Sequence, residues 1–160
     1  MRCLIIGCGC RGRLLARALS ERGHAVRGTT RRARQVPAIE DAGAEGAVCD
    51  PDRVATLVGA FDHVSVAFIL LASATGAPEA LRALHGTRLE MLLTKLVDTT
   101  VRGVVYEARG SVDAEVLAGG AERVRGFAER SLASVALLEA DPADARAWLA
   151  AALGAMEQVV

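Results

Sequence analysis

Aromatic side chains make up 3% of the 160 residues: three Phe, one Tyr and one Trp. With so few rings and a formal net charge of zero, the chain lacks the basic patch and stacking surface of a nucleic-acid binder. Lysine is nearly absent: 18 of the 19 basic residues are Arg, and Lys95 is the exception. That narrows the catalytic options. The longest apolar run, Val64 to Ala72 interrupted by Ser65, falls well short of the roughly 20 residues that span a bilayer. No membrane partner is expected. His24, His63 and His85 are scattered and read as surface or turn residues. No His, Cys and Asp residues cluster at metal-ligand spacing, so no metal is expected. The four cysteines, Cys3, Cys8, Cys10 and Cys49, accompany no secretory signal. The apolar start is a strand that runs straight into a glycine loop. Reduced thiols and a cytoplasmic location follow as expectations.

What is present suffices for a packed core. Hydrophobic residues reach 52% and mean hydropathy is +0.30, which excludes disorder. The length suits one domain, residues 1–160, and no low-complexity linker divides it.

The organising stretch is RCLIIGCGCRGRLLARALSERGHAVRGTTRR, Arg2 to Arg32. Arg2 to Ile6 reads as a strand buried on both faces. Gly7-Cys8-Gly9-Cys10-Arg11-Gly12 follows at once. Leu14, Leu15, Ala18 and Leu19 recur at helical spacing until Gly23, and Ala25 to Thr30 reads as a second strand. Strand, G-x-G-x-x-G, helix and strand within about 30 residues form a dinucleotide-binding fingerprint. Gly7 suits the turn out of the strand, Gly9 a close approach of backbone to pyrophosphate, and Gly12 close helix–strand packing. The helix N-terminus offers free N–H groups and partial positive charge to phosphates.

The alternation continues. A short helix is predicted from Pro37 to Ala42, stopped by Gly43, then a strand from Ala44 to Cys49. A helix opening at Asp50-Pro51-Asp52 runs through Leu57 and Val58. A central strand spans His63 to Leu71, followed by a small-residue loop, Ala72 to Pro78. A helical stretch, Glu79 to Val97, breaks at Gly86. A strand covers Arg102 to Glu107, and a helix covers Asp113 to Arg130 with an interruption at Gly119-Gly120. A strand spans Ser134 to Glu139, and a last helix starts at Asp141-Pro142-Ala143-Asp144. Six strands alternating with helices imply an α/β three-layer fold. Its centre is a doubly wound, six-stranded parallel sheet of order 3-2-1-4-5-6.

On the residues IIGCGCRG, GHAVRGTTRR and VRGVVYEARGSV, the chain resembles NAD(P)-binding Rossmann proteins of the atypical short-chain dehydrogenase/reductase group, near the epimerase/dehydratase-like proteins. A dinucleotide partner is therefore expected. NAD usually meets an acid about 20 residues beyond the glycines, where a carboxylate accepts from the ribose hydroxyls. Counting from Gly9 reaches Thr30, and no acid stands there. Thr29, Thr30, Arg31 and Arg32 instead present two hydroxyls and two guanidiniums, which suits a 2′-phosphate. NADP is preferred over NAD; the alternative is a loop solvated by arginines in an Arg-rich chain. Asp50 stands where the resemblance places an adenine contact, and equally where a helix N-cap belongs. The loop Ala72 to Gly76, with Ala72 and Ser73 at its start, should lie over the ribose and nicotinamide side, at the carboxyl ends of the strands. Ser73 and Thr75 are candidate donors there, and the alternative is a plain small-residue turn. Cys8 and Cys10 read as small residues that fit the loop, or as thiols whose pKa the helix end depresses.

The reductases that the chain resembles use a Tyr-x-x-x-Lys pair in which Tyr transfers a proton. Here Lys95 precedes Tyr106 by eleven positions, so the pair is absent. Tyr106 falls within a buried strand. Glu107, Arg109 and Ser111 should lie at the carboxyl end of strand five, to bind a substrate or, for Glu107 and Arg109, to pair with each other. Two readings stay open: an NADP(H)-binding sensor or partner-binding module, and a reductase or epimerase-like enzyme using other residues. Substrate and catalytic residues are unassigned, and a homo-oligomer is compatible with either.

Overall fold

The computed structural model describes residues 1–160. Its six strands form one all-parallel sheet of order β3-β2-β1-β4-β5-β6. They are β1 (Arg2–Ile6), β2 (Ala25–Thr30), β3 (Glu45–Val48), β4 (Val66–Ile69), β5 (Gly103–Glu107) and β6 (Ser134–Leu138). The helices are α1 (Cys10–Glu21), α2 (Val36–Asp41), α3 (Pro78–Leu84), α4 (Thr87–Leu96), α5 (Ala114–Arg130) and α6 (Ala145–Val159). This is the predicted doubly wound arrangement.

Alternation along each strand explains the three layers. Cys3 and Ile5 face α1, α2 and α6, together with Val26, Phe68 and Val105. Leu4 and Ile6 face the other way, with Ala67, Ile69 and Val104, onto α4, α5 and the segment Val54–Phe61. Successive residues of a strand point to opposite faces, so a strand covered on both sides must be apolar throughout. In β4 and β5 every residue is buried. Cys3 pairs with Val26 on one side and Val66 on the other, which puts β1 between β2 and β4 at the switch point of the sheet.

Three helix boundaries differ from expectation, each for a local reason. Val54–Phe61 is a 3-10 helix and not an α-helix. Asp50 Oδ1 accepts from Asp52 N at 2.9 Å, so its side chain closes a turn. The last helix begins at Ala145, because Asp144 caps it through Ala147 N while Asp141 closes a preceding turn through Ala143 N. Finally, α5 runs unbroken through Gly119 and Gly120. Gly120 is there for space, since a Cβ on it would overlap the Tyr106 phenol.

The two glycines should therefore respond differently to alanine. Gly120→Ala forces Tyr106 to move and is expected to cost about 1–3 kcal/mol, the scale of core overpacking. A Cβ at Gly119 meets only Arg123 Nη1, at 3.1 Å on a flexible side chain. Gly119→Ala should change stability by under about 1 kcal/mol, because helix propensity favours alanine. Denaturant unfolding of both variants checks this; equal losses would contradict the packing described.

Candidate functional site

After Ile6 the chain turns at Gly7, whose φ is 82°. A Cβ there would sit 2.5 Å from the Leu70 carbonyl, so only glycine fits. Gly7 N donates to Thr29 Oγ1 at 3.2 Å, and Cys8 N donates to Thr29 O at 2.8 Å. Thr29 is thus a buried brace for the loop: its Oγ1 accepts from Gly7 N, which leaves the hydroxyl hydrogen free to donate toward the cavity that Thr29 lines. Thr30 Oγ1 accepts from Arg32 N at 3.2 Å and shapes the turn that carries Arg31 and Arg32.

Helix α1 starts beyond Gly9 with no side-chain cap. The N–H groups of Cys10, Arg11 and Gly12 therefore lack intrahelical acceptors. Nothing lies within 4 Å of a Cβ placed on Gly9, whereas one on Gly12 would meet Gly7 O at 3.2 Å and Ile5 at 3.3 Å. Gly9 opens the loop; Gly12 packs the helix onto β1.

A cavity of about 460 Å³ fills the space above the loop. Gly7, Cys8, Gly9, Cys10, Arg11, Gly12, Thr29, Thr30, Arg31, Arg32 and Ser73 all line it. Arg13, Gln35, Cys49, Pro51, Leu70, Leu71 and Ala74 complete it; of these, only Ala74 lies in a stretch that the sequence assigns to the cofactor. Four arginines face this space and no carboxylate does. Asp50 and Ala72 stay outside the lining, Asp50 in its turn and Ala72 fully buried. Arg31 stands 4.0 Å from Asp52 Oδ2, while Arg32 has no ion-pair partner.

The loop thiols differ. Cys8 is buried, and burial pushes its thiol up to about 12, against a smaller opposing pull from Arg13. The helix end does not activate it. Cys10 is exposed, and all four cysteines are free. No group of three His, Cys, Asp or Glu side chains is placed to hold a metal, and no helix is long and apolar enough to cross a membrane.

The carboxyl end of β5 holds a network the sequence concealed. Glu107 is fully buried. Its Oε2 accepts from Trp148 Nε1 at 2.9 Å and lies 3.5 Å from Arg11 Nη2. Its Oε1 accepts from Ala72 N at 3.2 Å. Burial raises the Glu107 pKa, and Arg11 is the strongest of the influences that hold it down. Glu107 does not pair with Arg109, which lies 3.6 Å from Asp141 instead.

On the opposite face, His85 is buried rather than at a surface turn. Its Nδ1 lies 2.7 Å from Tyr106 Oη and its Nε2 lies 3.0 Å from Leu71 O. A carbonyl only accepts, so Nε2 carries the hydrogen and Tyr106 donates to Nδ1. Burial lowers the His85 pKa and raises that of Tyr106. Tyr106 is a fully buried tie, not an exposed acid.

No protein-family profile and no curated protein matches the chain. Solved structures do. A short-chain dehydrogenase/reductase superfamily protein from Agrobacterium tumefaciens with bound NAD superposes with a TM-score of 0.70 at 21% identity, over 87% of this chain and 48% of that one. UDP-glucose 4-epimerase from Thermotoga maritima gives 0.73 at 14% identity, over 87% and 55%. Citrobacter sp. triphenylmethane reductase complexed with NADP(H) gives 0.67 at 18% identity, over 86% and 48%. The chain spans about half the length of these structures and has their Rossmann fold.

Three outcomes follow from the side-chain environments. A thiol reagent near neutral pH should label Cys10 and spare Cys3 and Cys8, whose thiols burial pushes up to about 11 and about 12; fast labelling of Cys8, read by peptide mass mapping, would contradict its burial. Tyr106→Phe removes the donor to His85 and should cost about 1–3 kcal/mol, the scale of a buried polar group left unsatisfied. The His85 contribution has a sign: an imidazole kept neutral by the fold but free to protonate near 6.5 when unfolded loses stability as pH falls below that value. The stability gap between the wild type and His85→Gln should narrow between pH 7 and pH 5; a constant gap would show that the fold does not oppose His85 protonation.

Proposed function

We propose that this chain is an NADP(H)-binding Rossmann module, a cofactor sensor or partner-binding domain, that works without a Tyr-x-x-x-Lys pair. The observation that carries the reading is the cavity itself: four arginines, the open end of α1 and no carboxylate. Such a lining suits a polyanion, because guanidiniums and backbone N–H groups give phosphates charge-assisted donors. Residues Gly7 to Gly12 take the pyrophosphate. Thr30, Arg31 and Arg32 take the 2′-phosphate, with Arg32 as the less encumbered of the two cations because Asp52 stands beside Arg31. Asp50 and Ala72 support the site from behind through the turn and loop that they hold.

The bound nicotinamide would supply hydride chemistry, but the one Tyr is buried against His85, and the one Lys, Lys95, is exposed on α4 outside the cavity lining. A second reading, an oxidoreductase or epimerase-like enzyme using other residues, is favoured by the reductases and epimerase among the structures of the same fold. Residues 1–160 act here as a single nucleotide domain, and the four free thiols suit a cytoplasmic setting.

Titration should give tighter binding of NADPH than of NADH. Replacing Arg31 and Arg32 together by Ala should weaken NADPH by about 1–3 kcal/mol, the scale of lost hydrogen bonds to charged groups, with little change for NADH. Tighter NADH binding in the wild type, or equal losses for both cofactors, would reject the assignment.

A further inference from the structure

We infer that the crevice is divided at the switch point, so that the chain grips the 2′-phosphoadenosine diphosphate end of NADP(H) and leaves the nicotinamide end unheld, with Arg11 as the plug. This rests on the nucleotide reading above.

A doubly wound sheet has two mononucleotide halves, and a dinucleotide lies across the crevice between them. Here the halves are β1 to β3 and β4 to β6. The arginine-lined cavity belongs to the first. Its walls come from the glycine loop, the ends of β2 and β3, and the start of the loop after β4; no residue beyond Ala74 contributes. The second half is closed to it by two layers of contact.

The outer layer is Arg11. From the first turn of α1 its guanidinium reaches across the switch point. Nη2 donates to Ser73 Oγ at 3.0 Å and stands 3.5 Å from Glu107 Oε2, while the guanidinium carbon lies 5.7 Å from the Trp148 ring centroid. Glu107 is itself fixed by Trp148 and by Ala72 N, so the acceptor end of this strut cannot swing aside. A buried carboxylate stripped of its cation is costly, which favours the closed arrangement. The inner layer is loop against loop. Val112 N donates to Ala72 O at 2.9 Å, and Gly110 packs so closely that a Cβ on it would overlap the same carbonyl.

Beyond this wall lies a separate cavity of about 560 Å³, bordered by Arg82, His85, Ser111 and Asp113, which shares no residue with the first. A nicotinamide ring extending from the pyrophosphate meets the wall before it reaches that space. The missing Tyr-x-x-x-Lys pair and the closed half-site then have one meaning: this chain reads the cofactor's phosphate end.

The test compares NADPH with 2′-phospho-ADP-ribose, which lacks only the nicotinamide. Wild-type dissociation constants are expected to agree within threefold. In saturation-transfer NMR with NADP+, the adenine protons should respond and the nicotinamide protons stay silent. Arg11→Ala, with its fold checked by melting and NADP+ raised to offset the cation lost from the lining, should raise the nicotinamide signals relative to the adenine signals. A wild-type preference for NADPH of more than threefold, or nicotinamide signals as strong as adenine, overturns the division while leaving the nucleotide reading intact. Silent nicotinamide protons in Arg11→Ala overturn the role given to Arg11. Binding of neither ligand overturns the nucleotide reading, and this inference with it.

Discussion

A carboxylate with no exposure to water governs the business end of this fold. Glu107 closes β5, a strand whose other residues are apolar or, like Tyr106, buried among apolar neighbours. Leaving a charge there unsatisfied would cost several kcal/mol. Three elements distant in sequence converge to satisfy it: α1 through Arg11, the loop after β4 through Ala72 N, and α6 through Trp148. Those contacts fix the height of the loop above the sheet. They also fix the path of the first turn of α1, which presents its free N–H groups to the cavity. The balance is between burial, which raises the Glu107 pKa, and the partners that lower it, Arg11 foremost. One buried charge thus decides how the two halves of the sheet meet.

The charge distribution follows the same logic on a larger scale. Net charge is zero, so the chain as a whole attracts neither sign over long range. Four arginines line the cavity and no carboxylate does, although Glu107 and Asp52 reach Arg11 and Arg31 from outside the lining; the α1 dipole adds to them. Arg2 and Arg27, by contrast, share Glu45 at 3.1 Å each, far from the cavity. Acids stand behind or beside the cavity arginines and not in the lining itself, so the local placement of acids, not overall basicity, gives the cavity its cationic character.

Much of this was legible in the sequence because the signals are local. Alternation of Cys3 and Ile5 against Leu4 and Ile6 announces a strand covered on both faces. The spacing of Gly7, Gly9 and Gly12 announces the loop, and the absence of an acid near Thr30 announces the cation-rich rim. The misreadings share one cause: a side chain whose partner is remote. Gly119-Gly120 looks like a helix break until Tyr106 is seen to fill the space. His85 looks like a surface residue until Tyr106 and Leu71 O close on it. Asp50 and Asp141 look like helix caps because an Asx turn and an N-cap use the same residue and the same acceptor atom.

The two faces of β5 bring these threads together. Glu107 points to the α1 and α6 side and is locked by Arg11 and Trp148; Tyr106 points to the α3 and α5 side and is locked by His85. Adjacent strand residues necessarily face opposite layers, so a Tyr one position before a buried Glu cannot share a cleft with it. Both ties end on the same short loop, Glu107 on Ala72 N and His85 on Leu71 O. The loop over the carboxyl end of β4 is therefore clamped from both layers at successive residues. Glu107 and His85 thus hold the loop to the sheet through the two ends of a single peptide unit, one from each layer.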